Sequence, residues 1–119
     1  MFNSALNNTP IIINGDGKQK RDYIFVEDAA NLIRSVALYK QNESIEIFNV
    51  CTGKSQTINK LVRLTKQITG KDIPISHAPA VPEKRSLTGD NSKIIKLFGK
   101  PRYGLSEGLR RTYRNYLTK

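Results

Sequence analysis

The residues in this chain that can do chemistry are few and scattered. Cys51 is the only cysteine and His77 the only histidine, so neither a thiolate–imidazole metal site nor a Ser–His–Asp arrangement can be assembled. Cys51 has no neighbouring base in sequence and reads as a small buried residue. The turn Gly15-Asp16-Gly17 has two of the glycines that let backbone amides approach a pyrophosphate. The third position of a G-x-G-x-x-G pattern is Lys20, and the strand-like Tyr23-Ile24-Phe25-Val26 follows where a helix is needed. Beyond the turn lies Arg21, whose guanidinium fork suits a diphosphate or, alternatively, a carboxylate such as Asp22 or Asp28.

The elements that must position these groups alternate in type. Ile11-Ile12-Ile13 predicts a strand entering the glycine turn, and Tyr23 to Val26 a second. From Glu27 to about Tyr39, Ala29, Leu32, Ile33, Val36 and Ala37 fall on one helical face. Ile45 to Val50 predicts another strand, ending in Cys51-Thr52-Gly53. Thr57 then caps a helix with Ile58, Leu61, Val62, Thr65 and Ile68 on its apolar side, and Gly70 stops it. Ile73 to Ser76 is a short candidate strand. A helix from Asn91 carries Ile94, Ile95, Leu97 and Phe98, and Ser106 caps a last one with Leu109, Tyr113, Tyr116 and Leu117 at helical spacing. The pattern is that of an α/β protein, within one domain over 1–119.

Four segments in order carry a resemblance. Gly15 to Ala30, read as GDGKQKRDYIFVEDAA, resembles a signature of the extended short-chain dehydrogenase/reductases. Phe48-Asn49-Val50-Cys51-Thr52-Gly53 resembles that family's strand end, Asp90-Asn91-Ser92-Lys93 its D-x-S-K helix start, and Leu105-Ser106-Glu107-Gly108-Leu109 its closing L-x-E-G-L. The chain is thus similar to the C-terminal part of an NAD-dependent sugar-nucleotide epimerase or dehydratase of UDP-glucose 4-epimerase-like type. The resemblance implies the substrate-binding region without the N-terminal NAD-binding domain. On that reading Met1 falls in mid-chain family sequence, and a truncation or split subunit is expected.

Site roles follow from the same resemblance. Arg21 matches the arginine that contacts the substrate diphosphate. Asn49 matches an asparagine facing the substrate cleft, its alternative being to brace the turn at Thr52-Gly53. The family's R-x-G-D/E loop places Glu83 at the carboxylate that accepts from the ribose hydroxyls, or leaves it a solvated loop residue. Ala80 and Pro82 occupy the arginine and glycine positions of that loop, so the second cationic contact is missing unless Lys84 or Arg85 reaches the phosphate. The family's Tyr-x-x-x-Lys pair has no counterpart: the residues four places after Tyr23, Tyr39, Tyr103 and Tyr113 are Glu27, Glu43, Glu107 and Leu117. No hydride transfer is therefore expected of this chain alone, and no cofactor or metal, although complete family enzymes use NAD.

The expected partners are a nucleoside-diphosphate sugar and a separate N-terminal Rossmann subunit. Twenty Lys and Arg against ten Asp and Glu give a net charge of +10, which suits any phosphate-bearing partner. A basic nucleic-acid binder using Arg110, Arg111 and Arg114, and a non-catalytic sugar-nucleotide binder, are the alternatives. The two tyrosines of that last helix share a face with Leu109 and Leu117, a core arrangement that leaves the arginines in solvent. No apolar run is long enough to span a bilayer and no signal sequence opens the chain, so a cytoplasmic location is expected.

Overall fold

The structure, a computed structural model, describes residues 1–40, 44–82 and 85–118. In order the elements are α1 (Phe2–Asn7), β1 (Ile11–Asn14), β2 (Lys20–Asp22), α2 (Val26–Ala37), β3 (Ser55–Thr57), α3 (Ile58–Thr69), β4 (Ile75–Ala78), α4 (Ser92–Phe98) and α5 (Leu105–Leu117). They form an α/β fold with two two-stranded sheets. β1 and β4 pair in parallel, Ile11 opposite Ile75; β2 and β3 pair antiparallel, Arg21 opposite Gln56.

Period-two burial organises the first sheet. Ile11 and Ile13 turn inward to join Ala5, Val62 and Ile73 in one apolar cluster, while Ile12 points outward. α3 supplies Val62 and is bounded as its sequence demands. The Thr57 hydroxyl accepts from the Lys60 amide at 3.1 Å, and Gly70 closes the helix at φ 69°. Across α3 lies α5, and Gly108 lets it approach Phe25, whose Cβ is 3.1 Å from where a side chain on the glycine would begin.

Several boundaries differ from the sequence expectation, each for a tertiary reason. The second strand is Lys20–Asp22, not Tyr23–Val26, because its ladder partner is the polar Ser55–Thr57; Phe25 is instead the buried residue that starts α2. The strand after Ile73 begins at Ile75, since Pro74 has no amide to donate and its carbonyl takes the Ile11 amide at 2.8 Å. Ser106 is not a cap: α5 begins at Leu105 after Gly104, with no side-chain cap bond. Residues 45–50 belong to none of the strands described. Tyr116 and Leu117 are exposed rather than core, and α1, a helix too short to stand on propensity, is held by packing of Phe2 and Ala5.

Candidate substrate-binding site

Arg21 sits at the centre of β2, and its strand is flanked on both sides. β3 runs along one edge. Along the other runs 85–87, where the Lys20 amide donates to the Arg85 carbonyl at 2.8 Å and the Leu87 amide to Lys20 at 3.1 Å. Directly opposed residues of an antiparallel pair share a face, so Arg21 and Gln56 project to the same side. The Arg21 guanidinium donates to the carbonyl of Lys20 at 2.7 Å. Neither of the carboxylates weighed as its partner is idle. Asp22 accepts the amides of Thr52 and Gly53, at 3.0 and 2.8 Å, and the Thr52 hydroxyl. Asp28, buried, accepts the amides of Arg102 and Tyr103 at 3.0 and 2.8 Å.

Asp22 thus ties the strand carrying Arg21 to the loop that follows Asn49. The Asn49 amide nitrogen donates to the Asp90 carbonyl at 2.9 Å, and Asn91 donates back to Cys51 at 3.0 Å. Three segments met separately in the sequence, 21–22, 49–53 and 90–91, are therefore laced together by side-chain to backbone bonds. Asn49 braces the neighbouring D-x-S-K turn rather than its own. Asp90 accepts the hydroxyl and amide of Ser92, which hold its carboxyl below the ordinary value. Desolvation raises the Cys51 thiol, so it is no ready nucleophile.

The glycine turn is filled from within. Gly15 and Gly17 adopt φ 72° and 70°, the Lys18 amide donates to Asp16 at 2.9 Å, and Asn59 donates to the Asp16 carbonyl at 2.9 Å. The Asn59 side chain occupies the space beside Gly17 that a phosphate would need. Asp16 lies below its ordinary pKa, chiefly through the Lys18 amide and further through Arg85. These residues do not fit a dinucleotide pyrophosphate.

A cavity of about 440 Å³ opens beside this turn, lined by Asn14, Gly15, Asp16, Gln19, Ala80 to Pro82 and Arg85. Arg85 reaches Asp16 at 3.2 Å on its rim. Glu83 lies outside the described residues. Of the residues singled out in the sequence, Arg85 lines this cavity whereas Arg21 and Asn49 do not; Asn14, which loop closure brings to the cavity, and Gln56, which strand pairing sets opposite Arg21, carry no signal in the sequence. Arg111 is not a solvated cation: it pairs with Glu107 at 3.1 Å and stacks 4.2 Å over the Tyr103 ring. Among the described residues no group of three or more His, Cys, Asp or Glu is placed to hold a metal ion, and no helix is long and apolar enough to cross a membrane.

Comparison with known proteins agrees with this architecture. Residues 1–51 match the NAD dependent epimerase/dehydratase family. UDP-glucose 4-epimerase of Thermotoga maritima, solved with UDP-glucose, superposes with a TM-score of 0.88 at 30% identity, over 98% of this chain and 38% of its own. The chain resembles the NAD dependent epimerase/dehydratase family. UDP-glucuronic acid 4-epimerase of Bacillus cereus, solved with UDP-glucuronic acid and NAD, gives a TM-score of 0.89 at 26% identity over 98% of this chain and 38% of its own. GDP-L-fucose synthase 1 of Arabidopsis thaliana is 29% identical over 90% of this chain and 33% of its own length. The chain spans about a third of the length of the curated relatives it matches.

Proposed function

We propose that the chain is the nucleoside-diphosphate-sugar-binding part of an NAD-dependent sugar-nucleotide epimerase or dehydratase, forming one C-terminal substrate domain. The observation that carries the reading is the placement of Arg21, on a strand flanked by 85–87 and pinned by Asp22 to the loop after Asn49. Arg21 takes the diphosphate by its fork, and Asn49 gives its remaining amide hydrogen to a phosphate oxygen or sugar hydroxyl. Glu83 accepts from the ribose hydroxyls. Arg85, on the strand-like segment beside β2, supplies the cation missing at Ala80 once it exchanges Asp16 for phosphate. NAD, when bound by the complete enzyme, accepts and returns the hydride. This chain's part is to hold the nucleotide so that the sugar projects to a base and cofactor carried elsewhere, with a location in the cytoplasm.

Titrating UDP, dTDP and GDP against the chain and Arg21→Lys at two salt concentrations tests this. Weak, saturable binding is expected, and the lysine variant, which keeps the charge but loses the fork, weakens it by roughly 10-fold. Nucleic-acid binding with a steep salt dependence and no Arg21-dependent nucleotide signal overturns the reading. The engagement of Arg111 with Glu107 and Tyr103 already speaks against a three-arginine stripe on α5.

A further inference from the structure

Half of the net charge of +10 sits on two helices that pack together. α3 carries Lys60, Arg63 and Lys66 with no acidic residue, and α5 carries Arg110, Arg111 and Arg114 against Glu107 alone. Three of these cations are engaged. Lys60 donates to Gln56 at 2.7 Å, Lys66 pairs with Asp72 at 2.8 Å, and Arg111 is held by Glu107 and the Tyr103 ring. Arg63, Arg110 and Arg114 have no side-chain partner among the described residues.

Two of those three line one groove. It has a volume of about 280 Å³ and runs between α3 and α5, where half-buried Leu64, Ile68 and Tyr113 form the apolar part and Gln67, Ser106, Arg110 and Arg114 the polar part. None of these four polar side chains bonds to another described residue, and no carboxylate lines the groove. Ser106, Arg110 and Arg114 recur every four residues, so they lie on one side of α5, a turn apart. Like charges at that spacing repel and weaken a helix. Their Cβ atoms stand about 5–6 Å apart, close enough for two guanidinium forks to close on one tetrahedral anion.

The composition of the groove selects its ligand. A single carboxylate neutralises one arginine, whereas two unpaired arginines ask for a dianion. Leu64 and Ile68 suit an organic group, and the volume, below the roughly 300–1,000 Å³ usual for ligand pockets, requires a compact one. A nucleic-acid strand fits less well, because Arg111, which would continue the row of cations, is already paired. We propose that the α3–α5 groove binds a small organic phosphate monoester, its phosphate bridged by Arg110 and Arg114 and its organic part resting on Leu64 and Ile68. Gln67 and Ser106 then bond the polar atoms of the ester. The groove shares no residue with the Arg21 site, so the proposal does not depend on nucleotide binding there.

The probe is phenyl phosphate, titrated into the full chain at about pH 7.5, where a phosphate monoester with a second pKa of about 6 is a dianion. Amide NMR is expected to show saturable shifts at Leu64, Gln67, Ile68 and Ser106 with a Kd on the order of 1 mM or below. Phenyl sulfate, of the same shape but with one charge, binds about 5-fold or more weakly. Arg110→Gln/Arg114→Gln weakens phenyl phosphate by about 10-fold or more and leaves the thermal midpoint unchanged, because neither side chain bonds to protein. Arg34→Gln/Arg63→Gln removes as much charge from exposed positions outside the groove. That variant and Arg21→Lys leave the affinity within about 2-fold. No saturation by about 10 mM, equal binding of phosphate and sulfate, or equal losses in the two double variants overturns the proposal. Single-stranded DNA that outcompetes phenyl phosphate through Arg110 and Arg114 with a steep salt dependence overturns it too, by making the groove part of a phosphate-tracking surface.

Discussion

Replacing Asp28 by alanine removes a carboxylate that joins the first turn of α2 to the loop between α4 and α5. Its carboxylate, 4% exposed as a residue, accepts the amides of Arg102 and Tyr103 at 3.0 and 2.8 Å. Each bond to an ionised acceptor contributes about 1.5–3 kcal/mol, and a negative charge in a first helical turn about 0.3–1 kcal/mol more. Because Arg102 is exposed, water replaces part of one bond in the variant, and a net loss of about 3 kcal/mol is expected, a large share of a domain's roughly 5–15 kcal/mol. Asp28→Asn keeps an oxygen for one amide and should lose about half as much. Urea unfolding followed by far-UV circular dichroism reads this directly: with a slope of about 1.5 kcal/mol/M, the alanine midpoint falls by about 2 M and the asparagine midpoint by about 1 M. A shift below about 0.5 M for alanine, or equal shifts for the two variants, would refute the reasoning.

Gly70→Ala is expected to cost about 1 kcal/mol, since φ is 69° but nothing lies within 4 Å of the new methyl group. Gly17→Ala should cost more, about 2 kcal/mol, because the methyl displaces Asn59 from the Asp16 carbonyl as well; equal thermal midpoints for the two would contradict this. Asp90 is held low by the hydroxyl and amide of Ser92, and a depressed carboxylate stabilises the fold above its unfolded pKa and loses that contribution as the pH falls through the folded one. In Ser92→Ala the Asp90 carboxyl should titrate closer to 3.8 by NMR, and the acid side of the stability curve should lose the hydroxyl's share of its dependence on that group, the Ser92 amide keeping the rest. An unchanged Asp90 titration would mean that the Ser92 hydroxyl is not the cause.

Helix α3 was legible because its signals are local: Thr57 as cap, Gly70 as stop, and apolar residues at helical spacing between them. The Arg21 and Asn49 segments were legible only as family motifs, since what joins them is a set of bonds from Asp22, Asn49 and Asn91 to backbone far along the chain. β3 escaped notice because Ser55-Gln56-Thr57 has no apolar alternation, and it is a strand only by virtue of β2. The 45–50 segment failed in the opposite sense. Its alternation is real and its inner side is packed, but a strand needs a neighbour, and no sequence pattern shows whether one is present.

The stacking of Phe2 on Tyr113, at 5.2 Å and 27° between planes, bears on the order in which this polypeptide can reach its native state during synthesis. A ribosome delivers α1 long before α5, so the Phe2 ring waits in the open while nearly all the intervening chain is made. Ala5 finds Val62 as soon as α3 emerges, but Phe2 does not become 7% exposed until Tyr113 arrives. A nascent chain arrested before Tyr113 therefore displays an unburied aromatic on α1, a mark by which chaperones and proteases can distinguish unfinished molecules from finished ones.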